Sequence, residues 1–177
     1  MSYSVSLWFD EDAEAQLREV WKRLADAGIE TFASSPIRPH ITLAHQLELD
    51  LEPFVTGLEA RLEAHPTFEI VFPGLGIFVE SGVLYLSTVM TDALWTLHRD
   101  VAELMAEHGT LSGLHYRPDR WTPHCTLALA LTPEMMLEAV KACQSVSFPL
   151  KVHATRVGII ENLSEVELLA LPLPVRQ

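Results

Sequence analysis

The chain is poor in the features that mark several large classes of protein. It has two cysteines in 177 residues, Cys125 and Cys143, too few for a disulfide framework, so both are read as reduced thiols of a cytoplasmic protein. No window supplies about 18 uninterrupted apolar residues, and residues 1–10 lack a basic segment followed by an apolar stretch and a cleavage site; neither membrane insertion nor secretion is expected. The eight glycines build no Walker loop and no Gly-x-Gly-x-x-Gly, so nothing points to ATP or a dinucleotide cofactor. No histidine pair at i, i+4 and no cysteine cluster gives zinc-ligand spacing, and a cofactor-free, metal-free chemistry is expected. Basic residues are also scarce: 12 Lys and Arg stand against 24 Asp and Glu, a formal charge of −12. Affinity for long nucleic acid comes mainly from cations that neutralise phosphates, so binding of long DNA or RNA is not expected. A small phosphorylated ligand needs only a few local donors and remains compatible.

What is present is an ordinary amount of core material, 49% hydrophobic residues, with no Gly/Ser linker or low-complexity tract to divide it. A single body spanning residues 1–177 and a monomer are expected. Within it one motif occurs twice. Pro39-His40-Ile41-Thr42-Leu43-Ala44 returns 84 residues later as Pro123-His124-Cys125-Thr126-Leu127-Ala128. Each copy lies in an apolar, strand-like stretch. Strand side chains alternate between faces, so His40 and Thr42 share one face, His124 and Thr126 share one, and Cys125 points the other way.

The surrounding pattern repeats too. A strand at 3–9 leads through an N-cap at Asp10 into a helix whose Leu17, Val20, Trp21 and Leu24 have helical spacing and which Gly28 stops. After the first motif strand come a helix at about 51–64, a strand at 68–72 and a hairpin turning at Ser81-Gly82. The same order recurs from Val83, with a helix at about 92–107, the second motif, a helix opened by Thr132-Pro133 and strands from Phe148 to Leu171. Gly158 answers Gly76. These correspondences imply a duplication covering about 3–80 and 83–171. The expected fold is α+β: a pseudo-twofold, bilobal body with mixed or antiparallel sheet, outer helices, and the two motif strands side by side in a central cleft.

Two imidazoles in one cleft supply an acid and a base near neutrality, and two threonine hydroxyls can donate to the nonbridging oxygens of a phosphoryl group. Hydrolysis of a phosphoester follows naturally; a nucleophilic threonine fits poorly with two equivalent pairs. Around the cleft, Tyr116 and Trp121 are candidates for stacking on a base, Arg120 or Arg117 for reaching phosphate, and Arg38 for the same role if its strand begins early. His115 is a possible rim contact. His45 falls on the opposite alternation, while His65, His98 and His108 belong with helices and His153 with a strand face.

The two motifs and their spacing resemble the two-histidine phosphoesterase superfamily, which includes the 2′-5′ RNA ligase and cyclic phosphodiesterase families. His40-x-Thr42-Leu43 and His124-x-Thr126-Leu127 carry the resemblance, and it spans nearly the whole chain. It implies a bilobal fold with the site between lobes, no metal requirement, and 2′,3′-cyclic phosphates or related 2′-linked phosphoesters of small nucleotides or short RNA ends as substrates. It further implies His124 as the base that activates water and His40 as the acid for the leaving sugar oxygen, roles that a pseudosymmetric site can exchange. The alternative is a noncatalytic nucleotide- or phosphate-binding protein of the same fold. RNA ligation fits least with the acidic surface.

Overall fold

A computed structural model describes residues 2–30, 32–111 and 114–175. Its first strand, β1 (Tyr3–Phe9), is buried along its whole length, and Asp10 then turns the chain. The Asp10 carboxylate accepts the Ala13 N–H at 2.9 Å and the His153 N–H at 2.8 Å, capping α1 (Glu11–Asp26) and tying its start to the sheet. Leu17, Val20, Trp21 and Leu24 form the buried stripe, and Gly28 takes the left-handed conformation (φ 85°) that ends the helix.

The chain next doubles back along α1. Phe32 stacks on Trp21, with centroids 5.0 Å apart, and Arg38 Nε donates to Glu14 at 2.9 Å. This return explains why β2 (His40–Leu49) starts beside the end of β1 and runs antiparallel to it, with Trp8 opposite His40 and Ser6 opposite Thr42.

The remaining elements are α2 (Leu51–Leu62), β3 (Phe68–Phe72), β4 (Gly74–Phe78), β5 (Val83–Ser87), α3 (Asp92–His108), β6 (Gly109–Leu111), a 3-10 turn (Leu114–Tyr116), β7 (His124–Ala128), α4 (Pro133–Ala142), β8 (Leu150–Glu161) and β9 (Val166–Pro172). The strands form one sheet in the order β3-β8-β1-β2-β7-β5-β4, with β9 also on β8 and β6 also on β2. Every pairing among the described residues is antiparallel. Of the two sheet types expected, the antiparallel one is therefore realised.

Some local details lie outside what the sequence pattern shows. Gly74 and Gly76 are both part of β4. β8 is a single 12-residue strand that pairs with β3 through its first half and with β1 and β9 further along. Gly109 is extended (φ −147°) and opens β6, a strand that the sequence pattern does not announce.

One core joins these parts. Ile41, Leu43, Cys125 and Leu127, the alternate residues of the motif strands, are buried in it with Leu17 and Trp21 of α1 and Leu97 and Val101 of α3. Burying an apolar side chain of this size contributes about 1.5–3 kcal/mol, so the core face fixes the strand register and thereby forces His40, Thr42, His124 and Thr126 onto the other face.

Candidate active site

β2 and β7 meet at a single bridge, Ile41 opposite Cys125. Counting one residue each way in an antiparallel pair puts His40 opposite Thr126 and Thr42 opposite His124. The histidines thus occupy one diagonal of a rectangle and the threonines the other. Diagonal neighbours on one sheet face lie about 7–8 Å apart, room for a phosphoryl group between the rings. All four side chains are half-buried.

Both rings are held alike. His40 Nδ1 lies 2.7 Å from the Arg38 carbonyl oxygen, and His124 Nδ1 lies 2.7 Å from that of Thr122. A carbonyl oxygen only accepts, so each Nδ1 carries the proton and donates it; each Nε2 is left to gain or lose one. Burial lowers the pKa of His40, opposed by the Arg38 carbonyl, and a charge on His124 lowers it further. Burial lowers that of His124 as well, opposed by the Thr122 carbonyl. Two cations on this pair are disfavoured, and the singly protonated pair is the state that holds an acid and a base together.

Beyond the bridge the motif strands splay, and side chains satisfy the carbonyls released. Trp121 Nε1 donates to Thr42 O at 3.0 Å, Trp21 Nε1 to Thr126 O at 3.2 Å, and His98 Nδ1 to Leu43 O at 2.9 Å. Trp121 is buried and stacked on His98 at 3.8 Å, so one face of this candidate for base stacking is taken up in holding β2, while the residue also lines the cavity beside His124. Burial pushes the His98 pKa down to about 4 despite the Leu43 carbonyl, keeping this support neutral.

A cavity of about 680 Å³ opens beside His124 and Thr126, lined among others by Phe78, Tyr116, Arg120 and His115. Tyr116 is half-buried, and its hydroxyl lies against that of Thr42. It thus joins the loop before β7 to the first motif. Arg120 is exposed and paired loosely with Asp119 at 3.8 Å, free to turn inward; Arg117 is also exposed, with its own contact to Asp119 at 3.3 Å. Arg38 is elsewhere. Its guanidinium sits 5.0 Å from the Trp8 ring and binds Glu14 at 2.9 Å and Glu167 at 3.8 Å, an anchored position beside His40 rather than in this cavity.

Two aromatic residues not anticipated complete the His124 side. Phe78 meets the His124 ring edge to face at 5.0 Å, and Tyr85 lies 5.2 Å from it. Their signal was the β4–β5 hairpin itself, but only the register, with Tyr85 opposite Thr126, turns that hairpin into a wall of the site. Cys125 faces the core, where burial pushes its thiol pKa up to about 12, so it supplies no nucleophile. No three His, Cys, Asp or Glu side chains come close enough to hold a metal ion among the described residues.

A sequence profile of the 2′-5′ RNA ligase superfamily matches residues 6–165, a span that includes both motifs. The chain belongs to this superfamily. Among solved structures, several neighbours share the fold over nearly their whole length. E. coli LigT in its apo form has a TM-score of 0.62 at 16% identity, with 98% of this chain and 97% of LigT covered. TT0787 of Thermus thermophilus has a TM-score of 0.62 at 19% identity, with both chains fully covered. LigT has also been crystallised with 3′-AMP; that structure has a TM-score of 0.56 at 17% identity and covers 99% of this chain and 98% of LigT. At these identities the likeness establishes the fold. No curated protein sequence matches the chain.

In this member of the 2′-5′ RNA ligase superfamily, the sheet joins the two motifs through β2 and β7 and leaves His40, Thr42, His124 and Thr126 on one face. No helix of the described residues is long and apolar enough to cross a membrane.

Proposed function

We propose that this superfamily member is a metal-independent phosphoesterase that hydrolyses 2′,3′-cyclic phosphates, or related 2′-linked phosphoesters, of small nucleotides or RNA ends. The observation that carries the reading is the matched pair of Nδ1–carbonyl bonds, each 2.7 Å, which leaves both Nε2 atoms for proton transfer on the face that the two motifs share. In the reaction the neutral ring removes a proton from water as the water oxygen bonds to phosphorus. The protonated ring gives its proton to the sugar oxygen as the phosphorus–oxygen bond breaks. Thr42 and Thr126 donate to the nonbridging oxygens, where charge builds, and the Tyr116 hydroxyl steadies Thr42. The cavity walled by Phe78 and Tyr116 is apolar enough to take a nucleobase. The 3′-AMP named with LigT is a ligand of this chemical kind.

His124 is assigned as base and His40 as acid. We also propose that the repeat at about 3–80 and 83–171 reflects duplication of one half. The test is a panel of 2′,3′-cyclic nucleotides and a 2′-5′-linked dinucleotide incubated in EDTA, with the phosphomonoester isomers identified. Turnover is expected in EDTA; binding of the panel without turnover would favour a noncatalytic phosphate-binding role.

The profile of kcat/KM against pH should be bell-shaped, because activity needs one proton on the pair. Both pKa values lie below the ordinary 6.5 of histidine. The maximum should therefore fall on the acid side of pH 6.5, with the alkaline limb reporting loss of the acid's proton. Rates measured from about pH 4 to about pH 9 check this; a rate still climbing at the alkaline end would contradict it.

A further inference from the structure

The face that carries the motifs continues past His40 as well as past His124, and its two ends differ chemically. Beyond His124 the walls are mainly aromatic and apolar, with Glu80, His115 and Arg120 among them. Beyond His40 the register runs from His40 to Trp8 on β1 and from Trp8 to Arg156 on β8. Arg156 thus shares the motif face, two strands away, and with strands about 4.8 Å apart its Cα lies about 10 Å from that of His40. An open hollow of about 410 Å³ lies there, lined by Arg18, Arg38 and Arg156 together with Glu11, Glu14 and Ala15.

Three of the protein's 12 basic residues meet in this hollow, although the chain as a whole is strongly acidic. Their engagements are unequal. Glu14 is occupied on both oxygens, by Arg18 at 2.9 Å and by Arg38 at 2.9 Å. Burial works to raise its pKa, but these two hydrogen bonds hold it below the usual carboxylate value, so it stays charged and fixes both arginines. Arg38 also approaches Glu167 at 3.8 Å. Glu11 is at the exposed mouth. Arg156 is half-buried and has no carboxylate within ion-pair distance among the described residues. A partly buried guanidinium without a counter-ion is costly unless an anion completes it. Trp8 stands between the two on β1, and its indole N–H is buried and likewise lacks an acceptor among the described residues.

We propose that Arg156 forms a second-phosphate subsite on the His40 side, so that the preferred substrate carries another phosphate about one nucleotide from the scissile one. The inference rests on the phosphoesterase reading above and adds the substrate's shape to it. A nucleoside sits beside Phe78 and Tyr116, the scissile phosphate lies between the histidines, and the chain continues past Arg38, which covers the buried Trp8 ring, to Arg156. Arg18 and Arg38, held by Glu14, form the walls that orient this phosphate, and Arg156 supplies the planar, two-point contact.

The test uses two probes, a 2′-5′-linked adenylyl-adenosine with and without a terminal phosphate on the residue downstream of the linkage. Binding is measured by calorimetry to the full chain carrying His124→Gln, which removes turnover. The terminal phosphate should tighten binding roughly ten- to a hundredfold, the range of a charge-assisted bidentate contact. Adding Arg156→Ala should abolish that difference, Arg156→Lys should restore only part of it, and the difference should shrink as salt rises. Arg156→Ala alone should leave hydrolysis of a 2′,3′-cyclic nucleotide, which has nothing to place there, within about twofold of wild type. Equal affinity for the two probes, or a difference that survives Arg156→Ala, would overturn the subsite while leaving the phosphoesterase reading intact. Failure of both probes to bind, with no turnover of any cyclic nucleotide, would overturn both.

Discussion

Replacing either His40 or His124 by alanine should lower kcat on a 2′,3′-cyclic nucleotide by about 10²–10⁴-fold, the usual contribution of a positioned acid or base. The double variant should be little worse than the poorer single one, because neither ring completes the reaction without the other. The assignment of roles predicts a further asymmetry. If His40 is the acid, His40→Ala should recover most of its loss on a substrate whose leaving oxygen already has a low pKa, such as a nitrophenyl ester. His124→Ala should gain no comparable recovery, since water still has to be deprotonated. Recovery in the His124 variant instead would exchange the two roles, and equal recovery in both would remove the distinction. The similar mounting of the two rings makes this experiment necessary: each Nδ1 is bound at 2.7 Å and each pKa is lowered first by burial. What differs is the surroundings, with Phe78 and Tyr85 beside His124 and Trp8 opposite His40.

The route by which residues specify this site divides at the level of the single strand. That His40 and Thr42 share a face follows from alternation alone, and so does the burial of Ile41 and Cys125. Asp10 and Thr132 as caps, and Gly28 as a stop, follow from local hydrogen bonding and backbone freedom; their partners, Ala13 N–H and Met135 N–H, lie within three residues. Which strands become neighbours is decided instead by contacts far apart in sequence. β8 gathers β3, β1 and β9, and no short window of residues 150–161 says so. Trp121 illustrates the same limit. Its position just before the second motif makes it a candidate for stacking on a base, and His98 and the Thr42 carbonyl, 23 and 79 residues away, take up one face of its ring and its N–H. Arg156 is inconspicuous as one residue of an apolar strand. Only the register that places it on the motif face, and the absence of a nearby carboxylate among the described residues, give it chemical meaning.

Gly76 and Gly158, paired in the sequence by their place in the repeat, should respond very differently to alanine. A Cβ at Gly158 would lie 2.2 Å from carbons of the Trp8 ring and 2.3 Å from the Leu169 carbonyl oxygen. The ring is buried, with no open space to swing into, and the oxygen belongs to the backbone of β9, which cannot move without disturbing the β8–β9 ladder. Overpacking of this kind costs about 1–3 kcal/mol and sometimes more, which for a chain of this size lowers Tm by about 2–4 °C per kcal/mol. Gly158→Ala should therefore fall at the upper end of that range. It should also lower kcat/KM, because Trp8 stands directly opposite His40. At Gly76 the three atoms nearest the added Cβ all belong to the Tyr85 side chain, the closest at 2.3 Å. Tyr85 is half-buried on the cleft side and can rotate, so Gly76→Ala should cost less than half as much stability. Its effect should appear in kinetics instead: a displaced Tyr85 disturbs the wall it forms with Phe78, 4.3 Å away, beside His124. Thermal unfolding and steady-state rates of the two variants, taken together, check the argument. A Gly76→Ala protein as destabilised as Gly158→Ala would mean that the Tyr85 side of the sheet is as rigid as the Trp8 side, and that the cleft cannot adjust its nucleobase wall.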